Sequence, residues 1–190
     1  MTPAFVLGNG RSRQAIDIKI LKNHGTVYGC NALYREFVPD VLIAADRQIS
    51  ETIQHSGYAQ QNKFYTRKPL PGLGAKRIPD HYWGYSSGQI ATAIACIDRH
   101  TPIFLIGFDL GSVDTHFNNV YANTEFYKTS AARPTYAGNW IRQLIQIAKD
   151  FPECKLVRVT GPESVEVPNF AAVTNIEHMN IKDFCSIFAI

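Results

Sequence analysis

Short runs in which every residue is apolar, each closed abruptly by a glycine or a polar side chain, constrain this chain more than any other feature. Residues 4–7 (AFVL) stop at Gly8, residues 41–45 (VLIAA) at Asp46, and residues 103–106 (IFLI) at Gly107, two positions before Asp109. A strand with one wet face alternates apolar and polar residues. One that is apolar throughout is buried on both faces, as in a parallel sheet covered by helices. Further strands are expected at 26–30, 63–66 and 156–159, with another inside 173–181. Helical segments are expected at 16–21, at 32–37 before Pro39, from Ser50 as a cap toward His55, at 89–97, and at 136–151. The last of these sets Ile141, Leu144, Ile145 and Ala148 on one face. Segments 68–85 and 112–134, rich in proline, glycine or polar residues, read as irregular loops. This alternation predicts an α/β fold: a Rossmann-like three-layer sandwich on a mostly parallel sheet, with 1–190 forming a single domain.

With 190 residues, 45% of them hydrophobic, the chain buries a full core without disulfides or metals. Its net charge of +3 is spread over lysines and arginines that never form a run, so no nucleic-acid partner is expected, while an anionic small molecule suits the sign. Cys30, Cys96, Cys154 and Cys185 lie far apart without CxxC spacing and read as buried thiols in a reducing compartment. No stretch approaches the ~18 apolar residues of a membrane span, and MTPAFVLGNG reads as a strand and turn, not a secretory leader, so a cytoplasmic location is expected. The sequence specifies no oligomeric state.

In an open parallel sheet, ligands bind beyond the carboxyl ends of the strands, where loops and helix N-termini converge. The residues closing the apolar runs are Asn9, Asn31, Asp46 and Asp109, with Ser86-Ser87-Gly88 as a helix start between them. Their recurrence at successive strand ends points to a shared cleft. In Gly8-Asn9-Gly10-Arg11-Ser12, glycine permits positive φ and close approach of backbone N–H groups to a phosphate. Arg11 is suited to pair with phosphate oxygens, and Ser12 to cap a helix. The same turn also fits a plain strand-to-helix connection, since it lacks both the third glycine of GxGxxG and a Walker lysine. Asn31 suits the edge of a base or a ribose hydroxyl, or equally a helix cap. Asp46, beside Arg47, is either a local ion pair or a ligand for a hydroxyl or metal. Of six histidines, His116 in the polar loop DTHFNN is the candidate general base; the others read as surface or packing residues. His81-Tyr82-Trp83-Gly84-Tyr85 is either a lid or an apolar plug. No HExxH, Cys/His cluster or GxSxG is present, which disfavours zinc hydrolysis and serine-nucleophile chemistry.

GNGRS at 8–12 and CNALY at 30–34 resemble the donor-nucleotide segments of the bacterial lipooligosaccharide sialyltransferases, whose motifs read roughly GNGPS and CNxFY. The segment SSG at 86–88, an Ala-rich helix and Gly107-Phe108-Asp109 are similar to that family's later SG-helix-GxD segment. The resemblance implies that Asn9 and Asn31 contact a CMP moiety and that His116 is the base. The pattern is also similar to the archaeal-type 6-hydroxymethylpterin pyrophosphokinases, through Pro39-Asp40 to Asp46 and Gly107-Phe108-Asp109-Leu110 to Thr115-His116. Arg11 stands where both families carry proline. The expected function is a nucleotide-binding transferase using a CMP-type nucleotide-sugar donor without cofactor or metal. The alternatives are diphosphate transfer from ATP, with Asp46 and Asp109 on Mg²⁺, and a nucleotide-binding module without turnover.

Overall fold

The computed structural model describes residues 2–190. Among them, eight strands form one all-parallel sheet: β1 (Ala4–Leu7), β2 (Thr26–Cys30), β3 (Val41–Ala44), β4 (Phe64–Thr66), β5 (Lys76–Arg77), β6 (Ile103–Ile106), β7 (Leu156–Thr160) and β8 (Ile176–Asn180). Their order is β5-β4-β3-β2-β1-β6-β7-β8. The chain steps outward from β1 to β5, returns to place β6 beside β1, then steps outward the other way. The reversal between β1 and β6 opens a crevice at their carboxyl ends.

Five α-helices accompany the sheet: α1 (Arg47–His55), α2 (Tyr58–Gln61), α3 (Ser87–Ile97), α4 (Gly138–Asp150) and α5 (Ile181–Phe188). Successive residues of β1 point to opposite faces. Phe5 and Leu7 join Val27, Leu42 and Phe104 beneath Ile49 and Ile53 of α1 and Phe184 of α5. Ala4 and Val6 join Tyr28, Ile43 and Leu105 beneath Ile90 and Ile94 of α3 and Leu144 of α4. These two apolar clusters make the sandwich three-layered, as the all-apolar strands require. Fully burying one such Phe or Leu contributes about 1.5–3 kcal/mol.

The strand expectations hold at every position, but several local readings do not. The segment expected to be helical at 16–21 is replaced by two 3-10 turns, Arg11–Ala15 and Ile20–Asn23. Ser50 is not a cap: α1 starts three residues earlier, and the buried Ser50 hydroxyl donates to the Arg47 carbonyl within the helix. The 68–85 segment contains the edge strand β5, paired with β4, and a 3-10 turn at Asp80–Tyr82. Helix α5 was not expected, although Ile181, Phe184 and Phe188 have helical spacing and Asn180 accepts the Lys182 N–H as a cap.

Candidate functional site

A cleft of about 420 Å³ opens at the carboxyl ends of β1, β2, β3 and β6. Gly8, Asn9 and Gly10 line it from β1, Asn31 from β2, Asp46 from β3 and Asp109 from β6, with Ser86, Ser87 and Gly88 at the start of α3. Nine of the residues singled out from sequence therefore meet in one place. Arg11, Ser12 and His116 lie outside its lining.

The glycine turn works differently from the expected phosphate cradle. Neither Gly8 nor Gly10 has positive φ. They are small because the turn packs directly on the one that follows β6: a Cβ on Gly8 would stand 2.6 Å from the Gly107 carbonyl oxygen, and one on Gly10 2.4 Å from Asp109 Oδ2. Four of its five N–H groups are occupied as well, that of Asn9 alone having no acceptor among the described residues. Gly8 donates to Ile106 O at 2.8 Å, Gly10 to Gly107 O at 2.8 Å, Arg11 to Asn118 Oδ1 at 2.8 Å and Ser12 to Asp109 Oδ2 at 3.1 Å. Arg11 turns its guanidinium to Asp114 and Glu163, which raise its pKa, with the Asp114 hydrogen bond the largest cause. The turn is thus a lock between β1 and β6.

Asp109 supplies the anion that the turn holds. Its buried carboxylate accepts from Ser12 N–H, Asn118 Nδ2 at 3.1 Å and the Ser164 hydroxyl at 3.0 Å. Arg158, also buried, donates to the carbonyls of Phe108, Asp109 and Val165. Burial lowers the Arg158 pKa to about 10, which leaves it cationic at neutral pH. With both carboxylate oxygens committed to protein donors, Asp109 is poorly placed to share a Mg²⁺ with Asp46.

Unsatisfied donors gather instead at the start of α3. The N–H groups of Ser87, Gly88 and Gln89 find no protein acceptor among the described residues, and Ser86 gives no side-chain cap. The positive end of the helix dipole adds to them. The Ser87 hydroxyl accepts the Ala45 N–H at 2.9 Å and donates to Asn31 Oδ1 at 2.9 Å, so the Asn31 amide nitrogen is left facing the cleft. Asn31 holds this pose at φ 54°, a left-handed conformation that asparagine tolerates better than most residues. Asp46 is exposed at the tip of β3 and makes no side-chain cap; Arg47 pairs with Glu51 rather than with it.

Sequence reasoning missed the opposite wall. The segment after β6 folds back over the cleft and contributes Phe117, Asn119, Phe126, Tyr127 and Lys128, with Trp140 from α4 behind them. It is held by Tyr121, whose hydroxyl donates to Glu36 and accepts from the buried Arg13 at 2.9 Å, while Arg13 also reaches the Gly8 carbonyl. The Tyr127 hydroxyl accepts the Asn9 amide at 3.4 Å and the Ala32 N–H at 3.3 Å, and burial raises its pKa. Lys128 lies over the Phe117 ring and has no acidic partner among the described residues. Nothing local in the sequence ties Tyr121 or Tyr127 to Asn9 or Arg13.

His116 stands exposed outside this wall, 3.6 Å from Asp114. Asp114 titrates far below an ordinary carboxylate because it accepts the His116 N–H, the Ser112 hydroxyl and Arg11. Among the described residues, no three His, Cys, Asp or Glu side chains converge as a metal site would require, and no helix is long and apolar enough to cross a membrane.

No family model matches the chain, and no curated protein sequence does. Among solved structures, it is similar to the sialyltransferase CstII from Campylobacter jejuni in complex with the substrate analogue CMP-3FNeuAc. The TM-score is 0.60 at 18% identity, over 94% of this chain and 86% of that one. At this identity the likeness establishes the fold, a Rossmann-like α/β sandwich.

Proposed function

We propose that the cleft binds a nucleotide through its phosphate and that the protein is a transferase using a CMP-type nucleotide-sugar donor. The observation that carries this reading is the set of unsatisfied donors at one point: the first N–H groups of α3 and the Asn31 amide, converging at the carboxyl edge of a parallel sheet. Arg67 and Lys128 line the same cleft without acidic partners among the described residues and favour an anion. A solved structure of the same fold, determined with a CMP-sugar analogue, supports the choice of donor class.

In this reading the phosphate sits at Ser86-Ser87-Gly88, Asn31 and Asn9 hold the nucleoside, and CMP leaves through its phosphate oxygen as the acceptor oxygen bonds to the sugar's anomeric carbon. Tyr127, protonated at neutral pH, reaches the same edge as a hydrogen-bond donor. The acceptor hydroxyl needs a base. His116 serves if the 112–135 segment closes inward; Asp46 is the competing group already in the lining. His116→Ala and Asp46→Asn separate them, since the true base costs turnover roughly 10²–10⁴-fold while donor affinity changes little.

The test of the function itself is a thermal-shift series with CMP, CMP-sialic acid, UDP-sugars, ATP and GTP, with and without Mg²⁺, followed by assay of CMP release. At ~100 times its Kd a ligand adds about 2.7 kcal/mol of stability. Stabilisation by CMP compounds without Mg²⁺, with CMP released on adding acceptor sugars, is the expected result. Tight binding with no release makes the protein a non-catalytic module, and Mg²⁺-dependent stabilisation by ATP alone returns the diphosphate-transfer reading.

A further inference from the structure

Arg67 occupies a position that neither the glycine turn nor the asparagines explain. It follows β4, lines the cleft, and spends its guanidinium on three main-chain carbonyls: Trp83 O at 2.7 Å through Nε, Ala45 O at 3.3 Å through Nη1 and Tyr85 O at 2.8 Å through Nη2. Ala45 immediately precedes Asp46, and its own N–H is the donor to the Ser87 hydroxyl. Trp83 and Tyr85 lead directly into Ser86 and α3. One planar fork therefore ties the end of β3 to the segment that delivers the helix N-terminus. No carboxylate lies within ion-pair distance of it among the described residues, so the positive charge is offset only by carbonyl dipoles.

We infer that Arg67 is the positioning residue of the anion-binding end of the cleft. It fixes the angle at which the Ser87, Gly88 and Gln89 N–H groups meet a phosphate, and its unneutralised charge adds to the local potential. The inference rests on the nucleotide reading above. Lysine does not reproduce this arrangement, because a single ammonium cannot reach three carbonyls in one plane.

The test compares CMP with cytidine by calorimetry on wild type, Arg67→Lys and Arg67→Ala, with melting curves for each. Loss of the strap is expected to weaken CMP at least about tenfold, the scale of a hydrogen bond to a charged group, in both variants, with cytidine affinity and wild-type ligand stoichiometry unchanged. Equal losses for CMP and cytidine overturn the inference and make Arg67 a general structural residue. Wild-type CMP affinity in Arg67→Lys also overturns it, leaving charge alone. If Arg67→Ala does not fold, Arg67→Lys carries the comparison. Wild type binding neither CMP nor cytidine refutes the nucleotide reading itself, an outcome distinct from both.

Discussion

The Ser87 hydroxyl donates to Asn31 Oδ1 at 2.9 Å, which joins the first turn of α3 to the end of β2 and turns the Asn31 amide nitrogen into the cleft. Because Asn31 lies at φ 54°, replacing it by alanine would add left-handed strain of roughly 1–2 kcal/mol to any loss of ligand contact. Asn31→Gly removes the side chain without that strain. It is expected to lower CMP affinity about tenfold or more with little change in melting temperature. Unchanged affinity would mean that the amide does not contact the ligand.

Asp109 should behave as a stability residue. Asp109→Ala leaves the buried donors on Ser12 and Asn118 and the Ser164 hydroxyl without their acceptor, at about 1–3 kcal/mol for each group left unsatisfied. Chemical denaturation is expected to show the loss. A variant of parental stability that no longer binds ligand would instead assign Asp109 to ligand recognition.

Cys30 lines the cleft yet should resist alkylation. Burial, the largest cause, together with Asp46 and against Arg13, pushes its thiol up to about 12, so at pH 8 almost none is thiolate, and reactivity grows only as pH rises toward that value. Mass spectrometry after iodoacetamide treatment of native protein is expected to find label at the partly exposed Cys185 and none at Cys30, with all four labelled after denaturation. Native labelling of Cys30 would contradict the burial.

The sheet was legible because strands buried on both faces carry their signature in every residue, from Phe5 to Leu105. The strand-end asparagines were legible for the same reason, since each sits where an apolar run stops, and the α3 start was legible as the Ser-Ser-Gly that opens an apolar run. What stayed hidden depended on partners distant in sequence. Gly8 and Gly10 looked like a phosphate loop because the sequence cannot reveal that Gly107 and Asp109 press against them. Arg67, Tyr121 and Tyr127 gain their roles from contacts with residues 16 to 118 positions away. Helix α5 was missed because its apolar spacing follows directly on a strand with no intervening turn signal.

Tyr121 connects the wall segment to Arg13 and Glu36. Tyr121→Phe removes two hydrogen bonds and is expected to cost about 1–3 kcal/mol. Amides near 117–130 should exchange faster in the variant, while those of β1 and β6 keep their protection. Uniformly faster exchange across the sheet would show that the triad supports the whole fold rather than the wall.

The central claim is that a nucleotide phosphate docks on the start of α3 and not on the turn after β1. Amide hydrogen exchange with and without saturating CMP tests it directly. The prediction is new protection at residues 87–89, whose N–H groups lack protein acceptors among the described residues, with the already bonded amides of Gly8, Gly10, Arg11 and Ser12 nearly unchanged. Protection at Gly8, Gly10, Arg11 and Ser12 with none at 87–89, or no change anywhere under conditions where CMP is bound, would contradict it.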